Sequence, residues 1–146
     1  MRYLNPELEE REAGSLPSLA LAHVGDAVFE LMTRTMLASR GKETANKLHK
    51  AAVKLVAAPA QAKAAEKLAP QLTEEELGVY KRGRNAKVNS VPKAASVKEY
   101  HEATGLEALF GALWLMGERA RLNELFSLAM EEQNENNEPA SLKNNI

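Results

Sequence analysis

The chain contains no cysteine, which removes disulfide frameworks and thiolate metal sites and suits a reducing compartment. No stretch approaches the ~20 apolar residues that spanning a bilayer requires. The first residues, MRYLNPELEEREAG, are polar and acidic, with no apolar signal core. These absences lead to the expectation of a cytoplasmic protein without membrane attachment. No run alternates apolar and polar residues convincingly with period two, and no internal repeat is visible, so no sheet is expected. No serine, histidine and acid have a spacing that suggests a nucleophilic triad. One further scarcity matters more. Of the 20 acidic residues only one, Asp26, is an aspartate, and it lies in a mostly apolar run, "LALAHVGDAVFEL", residues 19–31.

What is present fits one domain. The 146 residues are 45% hydrophobic and 27% charged, enough to bury a proper core. The net charge of −1 hides an uneven distribution. Between Leu31 and Lys98 stand 14 lysines and arginines against 5 glutamates, whereas acids gather in "ELEERE" and "MEEQNENNE" near the two ends. A basic centre suits a polyanion such as nucleic acid, although solvated helix faces also carry lysines.

Residues 1–15 read as an irregular lead-in, 16–133 as the domain, and 134–146, low in hydrophobicity, as a disordered tail. Pro17 and Ser18 open the first long helix, with Ser18 as its cap and apolar residues recurring through Met36. Thr44 or Asn46 begins a second helix, in which "LHKAAVKLVAA" alternates apolar and basic faces. Pro59 either kinks that segment or starts a third helix. Thr73 and Glu76 have capping-box spacing and begin another. Gly83, Asn85, Asn89 and Pro92 punctuate "RGRNAKVNSVPK", which argues for a loop. "SVKEYHEATGLEALFGALWLMG" and "ERARLNELFSLAMEE" then supply an apolar helix and an amphipathic one. The expected fold class is all-α.

Glu107 repeats the puzzle of Asp26, being the one charge in "TGLEALFGALWLMG" before its final turn. Burying an unpaired carboxylate is costly, so two apolar helices that each carry one suggest acids converging on a point. Hard divalent cations use carboxylate oxygens, and Mg²⁺ takes one or two of them together with waters and substrate phosphates. The plainer alternative is that each acid lies at the edge of its stripe, exposed or paired with a lysine. Glu30 falls four residues after Asp26, on the same helix face and of like charge. Gly25 and Gly111 each cost a helix about 1 kcal/mol relative to alanine. Close backbone approach between the two helices, or across a dimer interface, would compensate, and the first would bring Asp26 near Glu107.

These residues resemble a known family. "LALAHVGDAVFEL" is similar to the signature helix of the ribonuclease III endonuclease domain, and "TGLEALFGALWL" to that domain's later helix with its metal-binding glutamate. "LHKAAVKLVAA", "KRGRNAK" and the short chain look like the Mini-ribonuclease III branch, which has no appended double-stranded-RNA-binding domain. The resemblance spans roughly Leu16 to Met130. It implies an all-helical homodimer that cuts double-stranded RNA with Mg²⁺, leaving 5′-phosphate and 3′-hydroxyl ends. It also implies the precursor of 23S ribosomal RNA as substrate, and so a pre-ribosome or ribosomal-protein setting. By position, Asp26 takes the catalytic aspartate's role and Glu107 that of the paired metal ligand. A metal-activated water would attack phosphorus directly. Full-length ribonuclease III carries further acids where this chain has Ala22 and Thr104, and His23 stands where an aromatic residue is expected.

RNA binding would fall to the basic residues. Lys81, Arg82, Arg84, Lys87, Lys93 and Lys98 follow one another without an intervening acid. With Asn85 they offer phosphate and 2′-hydroxyl contacts suited to A-form RNA, which is read mainly by shape, or else they form an incidentally charged loop. His49 and Lys50 either face RNA or are ordinary helix-surface residues. Phe110 and Trp114, at helical spacing, read as core. The rival functions are a non-catalytic RNA-binding or ribosome-associated protein of the same fold, and a helical interaction scaffold. The presence of both Asp26 and Glu107 counts against the first, and the second predicts no RNA affinity.

Overall fold

The computed structural model describes residues 2–41, 43–87, 90–91 and 95–135, the side chains of 132–135 excepted. These residues form seven α-helices and one 3₁₀ turn, without a strand among them. The helices are α1 (Glu10–Gly14), α2 (Ser18–Ser39), α3 (Ala45–Val56), α4 (Ala58–Leu68), α5 (Glu74–Arg84), α6 (Val97–Leu115) and α7 (Arg119–Glu135). The all-α expectation holds. The expected disordered tail falls almost wholly outside the described residues, as does Lys93.

α6 is the centre of the molecule. Eleven of its 19 residues are buried, so it is apolar nearly all round and cannot be a surface helix. α2, α5 and α4 pack against it, and α7 closes one side. Phe29 of α2 ties three helices together: its ring lies 5.4 Å from that of Phe110 on α6 and 5.6 Å from that of Phe126 on α7. Phe110 is fully buried, as expected, while Trp114 is half-buried and carries the Arg119 guanidinium 4.4 Å from its ring centre.

Several helix ends follow their local chemistry. Thr44, not Asn46, caps α3, its hydroxyl accepting from the Lys47 N–H. Pro59 stands in the first turn of α4, where its missing N–H costs nothing. Thr73 and Glu76 form the expected capping box on α5, and Ser96 and Glu99 form another on α6. Other ends differ from expectation. Ser18 does not cap α2; it is the first helical residue, and Pro17 holds the cap position with no side-chain bond. The Pro17 carbonyl accepts from the Ala20 and Leu21 N–H groups, so the helix starts on the backbone alone. The far end of α2 does agree: the sequence puts it at Gly41 or one turn before, and the helix stops at Ser39. The lead-in is not wholly irregular: it contains α1, buries Pro6 and Ala13, and is tied to α6 where the Leu8 N–H donates to the Leu115 carbonyl.

The largest correction concerns "RGRNAKVNSVPK". α5 runs on through Arg84, so Lys81, Arg82 and Arg84 stand on a helix's last turn rather than in a loop. Gly83 is the reason the pattern misleads. A Cβ there would lie 2.7 Å from that of Ala108 and 3.0 Å from the Gly105 Cα. It is a packing glycine, required by the close approach of α5 to α6, and not a helix breaker.

One ion pair supports this frame. Arg121 of α7 donates from Nε and from a terminal nitrogen to the two Glu76 oxygens, at 2.9 and 2.8 Å, a bidentate geometry with the Glu76 side chain nearly buried. Hydrogen bonding from Arg121 is the main reason the Glu76 carboxyl is held below its ordinary value of 4.5. The pair therefore contributes fully above about pH 4.5 and loses its contribution as pH falls through the lower, folded-state value. Glu76→Gln is expected to cost about 2 kcal/mol at neutral pH. Urea unfolding should show the gap between variant and wild type closing as the solution is acidified below that range, and a constant gap would contradict the pairing.

Candidate functional site

Two glycines bring the isolated acids together. α2 and α6 run antiparallel, with Leu21 opposite Gly111 and Gly25 opposite Glu107. A Cβ on Gly25 would lie 1.6 Å from the Glu107 carbonyl oxygen, and one on Gly111 would lie 1.9 Å from that of Leu21. No side chain could occupy either position, so the two backbones touch. The contact lies within the chain, which decides between the two compensations the sequence left open. Asp26 follows Gly25 directly, and the same contact therefore carries it to the side of Glu107.

The acids are not equivalent. Asp26 is exposed, at the edge of the α2 stripe, while Glu107 is half-buried. Partial burial raises the Asp26 carboxyl above its ordinary value, Glu30 adds to the rise, and His23 opposes it. Burial pushes the Glu107 carboxyl up to about 8, and the charge of Asp26 contributes to that rise. A pair of carboxylates, one of them strongly reluctant to ionise, invites a cation. Glu30 is already engaged with Arg34 at 2.6 Å.

A hard divalent ion fits this donor set. Both carboxylates supply oxygen, and bound positive charge would reverse the penalty on ionising Glu107. Among the described residues no group of three or more His, Cys, Asp or Glu could hold a metal. Two carboxylates alone would leave the remaining positions of a bound ion to water and substrate, the pattern typical of Mg²⁺ rather than of an all-protein cage. The positions that carry further acids in full-length ribonuclease III add no ligand here. Ala22 is buried, and the buried Thr104 hydroxyl donates within its own helix to the Tyr100 carbonyl at 2.9 Å.

The structure scatters the basic candidates. Arg82 leans back along α5 towards Gly78 and lines a cavity between α1, α5 and α6 whose rim is rich in glutamates. Arg84 and Asn85 face the opposite way, into a cleft against α6 shared with Lys98, His101 and Glu102. Lys81 and Lys87 are exposed. His49 and Lys50 are exposed on α3, and neither is among the groups that shift Asp26 or Glu107. Sequence reasoning passed over His101. The signal it carried was the spacing of Lys98, His101 and Glu102, which places all three on one helix face.

The chain is similar to several known proteins. Residues 19–118 match the family model described as the ribonuclease III domain. A Mini-ribonuclease 3 of Clostridium tetani is 40% identical over 129 residues, covering 88% of this chain and 85% of that protein. A Mini-ribonuclease 3 of Symbiobacterium thermophilum is 46% identical over 115 residues, covering 79% and 88% respectively. A crystal structure of a Fusobacterium nucleatum protein superposes with a TM-score of 0.75 at 30% identity, covering 82% of this chain and 95% of that one.

Proposed function

The chain belongs to the ribonuclease III domain family, and from that premise we propose that it is an endoribonuclease that cuts double-stranded RNA with a divalent metal, Mg²⁺, held by Asp26 and Glu107. The observation that carries this reading is the backbone contact at Gly25 and Gly111, which sets two carboxylates side by side where one resists ionisation. When bound, the ion supplies Lewis acidity at the phosphate and a more acidic water. The chain's own part is to hold that charge in a fixed place. Asp26 stands at the exposed edge, open to substrate, and Glu107 is half-buried on the central helix, α6. Products keep the 5′ phosphate and the 3′ hydroxyl.

The finer reading follows the resemblance to the Mini-ribonuclease III branch. The working form is a two-fold homodimer with one Asp26–Glu107 site for each strand, acting in the cytoplasm on the precursor of 23S ribosomal RNA in a pre-ribosomal setting. In the described residues no helix is long and apolar enough to cross a membrane. Incubating the purified chain with long duplex RNA, in Mg²⁺ and then with EDTA, tests the activity. Metal-dependent shortening of duplex but not of single-stranded RNA is expected. Binding without cleavage in Mg²⁺ would favour a non-catalytic RNA-binding protein, and no binding would favour a scaffold.

The exposed basic residues also have a test. If Arg84 and Lys87 contact RNA phosphates, replacing both by alanine should flatten the dependence of log affinity on log salt by roughly 0.7 to 0.9 per lost contact. Titrations of duplex RNA at several salt concentrations would measure it. An unchanged slope would return these residues to the solvated surface.

A further inference from the structure

On the side of α6 away from the carboxylate pair, the structure leaves a hollow that neither metal nor RNA binding uses. We propose that this hollow, between α1, α5 and α6, docks a lysine- and arginine-rich amphipathic segment of another protein. The inference is independent of the nuclease reading and goes beyond it, naming a second interaction surface and the chemistry of its partner.

The hollow measures about 860 Å³. Its floor is apolar, with Val79 of α5 beside Leu109, Leu113 and Met116 at the end of α6. Its rim carries Glu9, Glu10, Glu74 and Glu75, all exposed. None of these four takes part in an ion pair among the described residues. Glu74 and Glu75 stand in the first turn of α5, where the helix dipole favours their charge. Glu76 lines the hollow too, but Arg121 already holds it. Arg11 and Arg82 share the rim, and the negative charge stays in excess. An apolar concavity with a charged rim is the form of an interaction site.

Charge selects the occupant. Four carboxylates repel a phosphate backbone, so the hollow is not a further RNA surface. An apolar floor offers nothing to a bare polycation. An amphipathic helix satisfies both parts, its apolar stripe on the floor and its lysines and arginines at the glutamates. The chain itself shows that a guanidinium is accommodated there. Arg82 folds back along α5 until a terminal nitrogen lies 3.3 Å from where a Gly78 Cβ would be. It lies along the mouth with no ion-pair partner among the described residues. A cation from a partner would compete for that place.

Position keeps such docking clear of the carboxylates. Leu109 lies two residues after Glu107 on α6, a rotation of about 200°. Met116, at the helix end, lies nine residues after it, about two and a half turns. Both therefore leave the helix on the side opposite Glu107. The Glu107 side is the one that α2 meets through Gly25. A segment seated in the hollow leaves Asp26 open, so it would tether the protein to its partner without blocking the site.

The experiment measures, by fluorescence anisotropy, binding of a labelled peptide of repeated Leu-Ala-Arg-Lys units to the full chain, without RNA or metal. The same peptide with glutamate for every arginine and lysine is the control. Wild type is expected to bind the basic peptide and not the acidic one, with affinity falling as salt is raised. Glu10→Gln together with Glu75→Gln should weaken binding about tenfold, at about threefold for each lost charge. Arg82→Gln should tighten it about threefold, a direction that a structural role would not give. Gly78→Phe fills the mouth where the nearest atom is the movable Arg82 tip, and should weaken binding at least about tenfold. Thermal melts separate binding from folding, and if Gly78→Phe does not fold, the variants at the exposed Glu10, Glu75 and Arg82 decide. Equal affinity for the two peptides, or affinity unchanged in the glutamate and Gly78 variants, overturns the proposal. Spermine binding as tightly as the peptide, with the same losses, would make this a small-polycation site. Self-association in sedimentation that the glutamate variants lose would make the occupant a second copy. Either result also overturns it.

Discussion

Asp26→Asn is expected to lower the single-turnover rate of duplex cleavage by at least about three orders of magnitude, leaving the fold and duplex binding intact. The site is exposed and asparagine is nearly isosteric, so packing has no reason to change. What is lost is the charge that, with Glu107, would hold a divalent ion, and metal assistance is worth several kcal/mol at about 1.4 kcal/mol per tenfold in rate. Rates on denaturing gels, binding in EDTA and a thermal melt form one comparison, and near-wild-type cutting would remove Asp26 from the mechanism. Glu107→Gln should also abolish cleavage, with an opposite effect on stability. The fold holds the Glu107 carboxyl at about 8, against an ordinary 4.5. Ionising it therefore destabilises metal-free protein progressively as pH rises through that interval. The glutamine variant should be more stable than metal-free wild type by about 2 kcal/mol above that interval and equal to it below. Added Mg²⁺ should raise the Tm of wild type and not that of the variant.

The second large effect is on folding. Gly25→Ala places a methyl group 1.6 Å from the Glu107 carbonyl oxygen and 2.7 Å from the Gly111 amide nitrogen. Overpacking usually costs about 1–3 kcal/mol because side chains can yield. Here the obstacle is backbone, inside the most extensive helix contact of the molecule. A loss above about 4 kcal/mol is expected, seen as an unfolded or insoluble chain. Gly78→Ala provides the contrast. Its nearest neighbour is a terminal nitrogen of Arg82 at 3.3 Å, which can move, so the variant should fold and gain up to about 1 kcal/mol of helix propensity. Denaturant melts of both variants distinguish the cases. A Gly25→Ala protein with wild-type stability would mean that α2 and α6 do not meet as described.

Much of this was legible in the sequence because it is local. Helical periodicity depends on residues three and four apart, so the all-α class needed no knowledge of partners. The Thr73–Glu76 box is complete within four residues, and its geometry is the expected one. Asp26 and Glu107 stood out because a charge amid apolar neighbours is visible in any short window. Their pairing was foreshadowed by Gly25 and Gly111, yet glycine spacing alone could not tell a contact within the chain from one between two chains.

Tertiary structure decided what depends on a neighbour from another helix. Gly83 reads as a breaker in isolation, but it is helical because Ala108 and Gly105 leave no room for a side chain. "KRGRNAK" reads as one basic patch, yet helical geometry sends Arg82 towards the α1 cavity and Arg84 into the α6 cleft. Asp26 is exposed rather than buried because the stripe of α2 ends beside it, an edge that no linear pattern marks. Sequence determines which faces a helix has, whereas the direction each face looks is set by the helices packed against it.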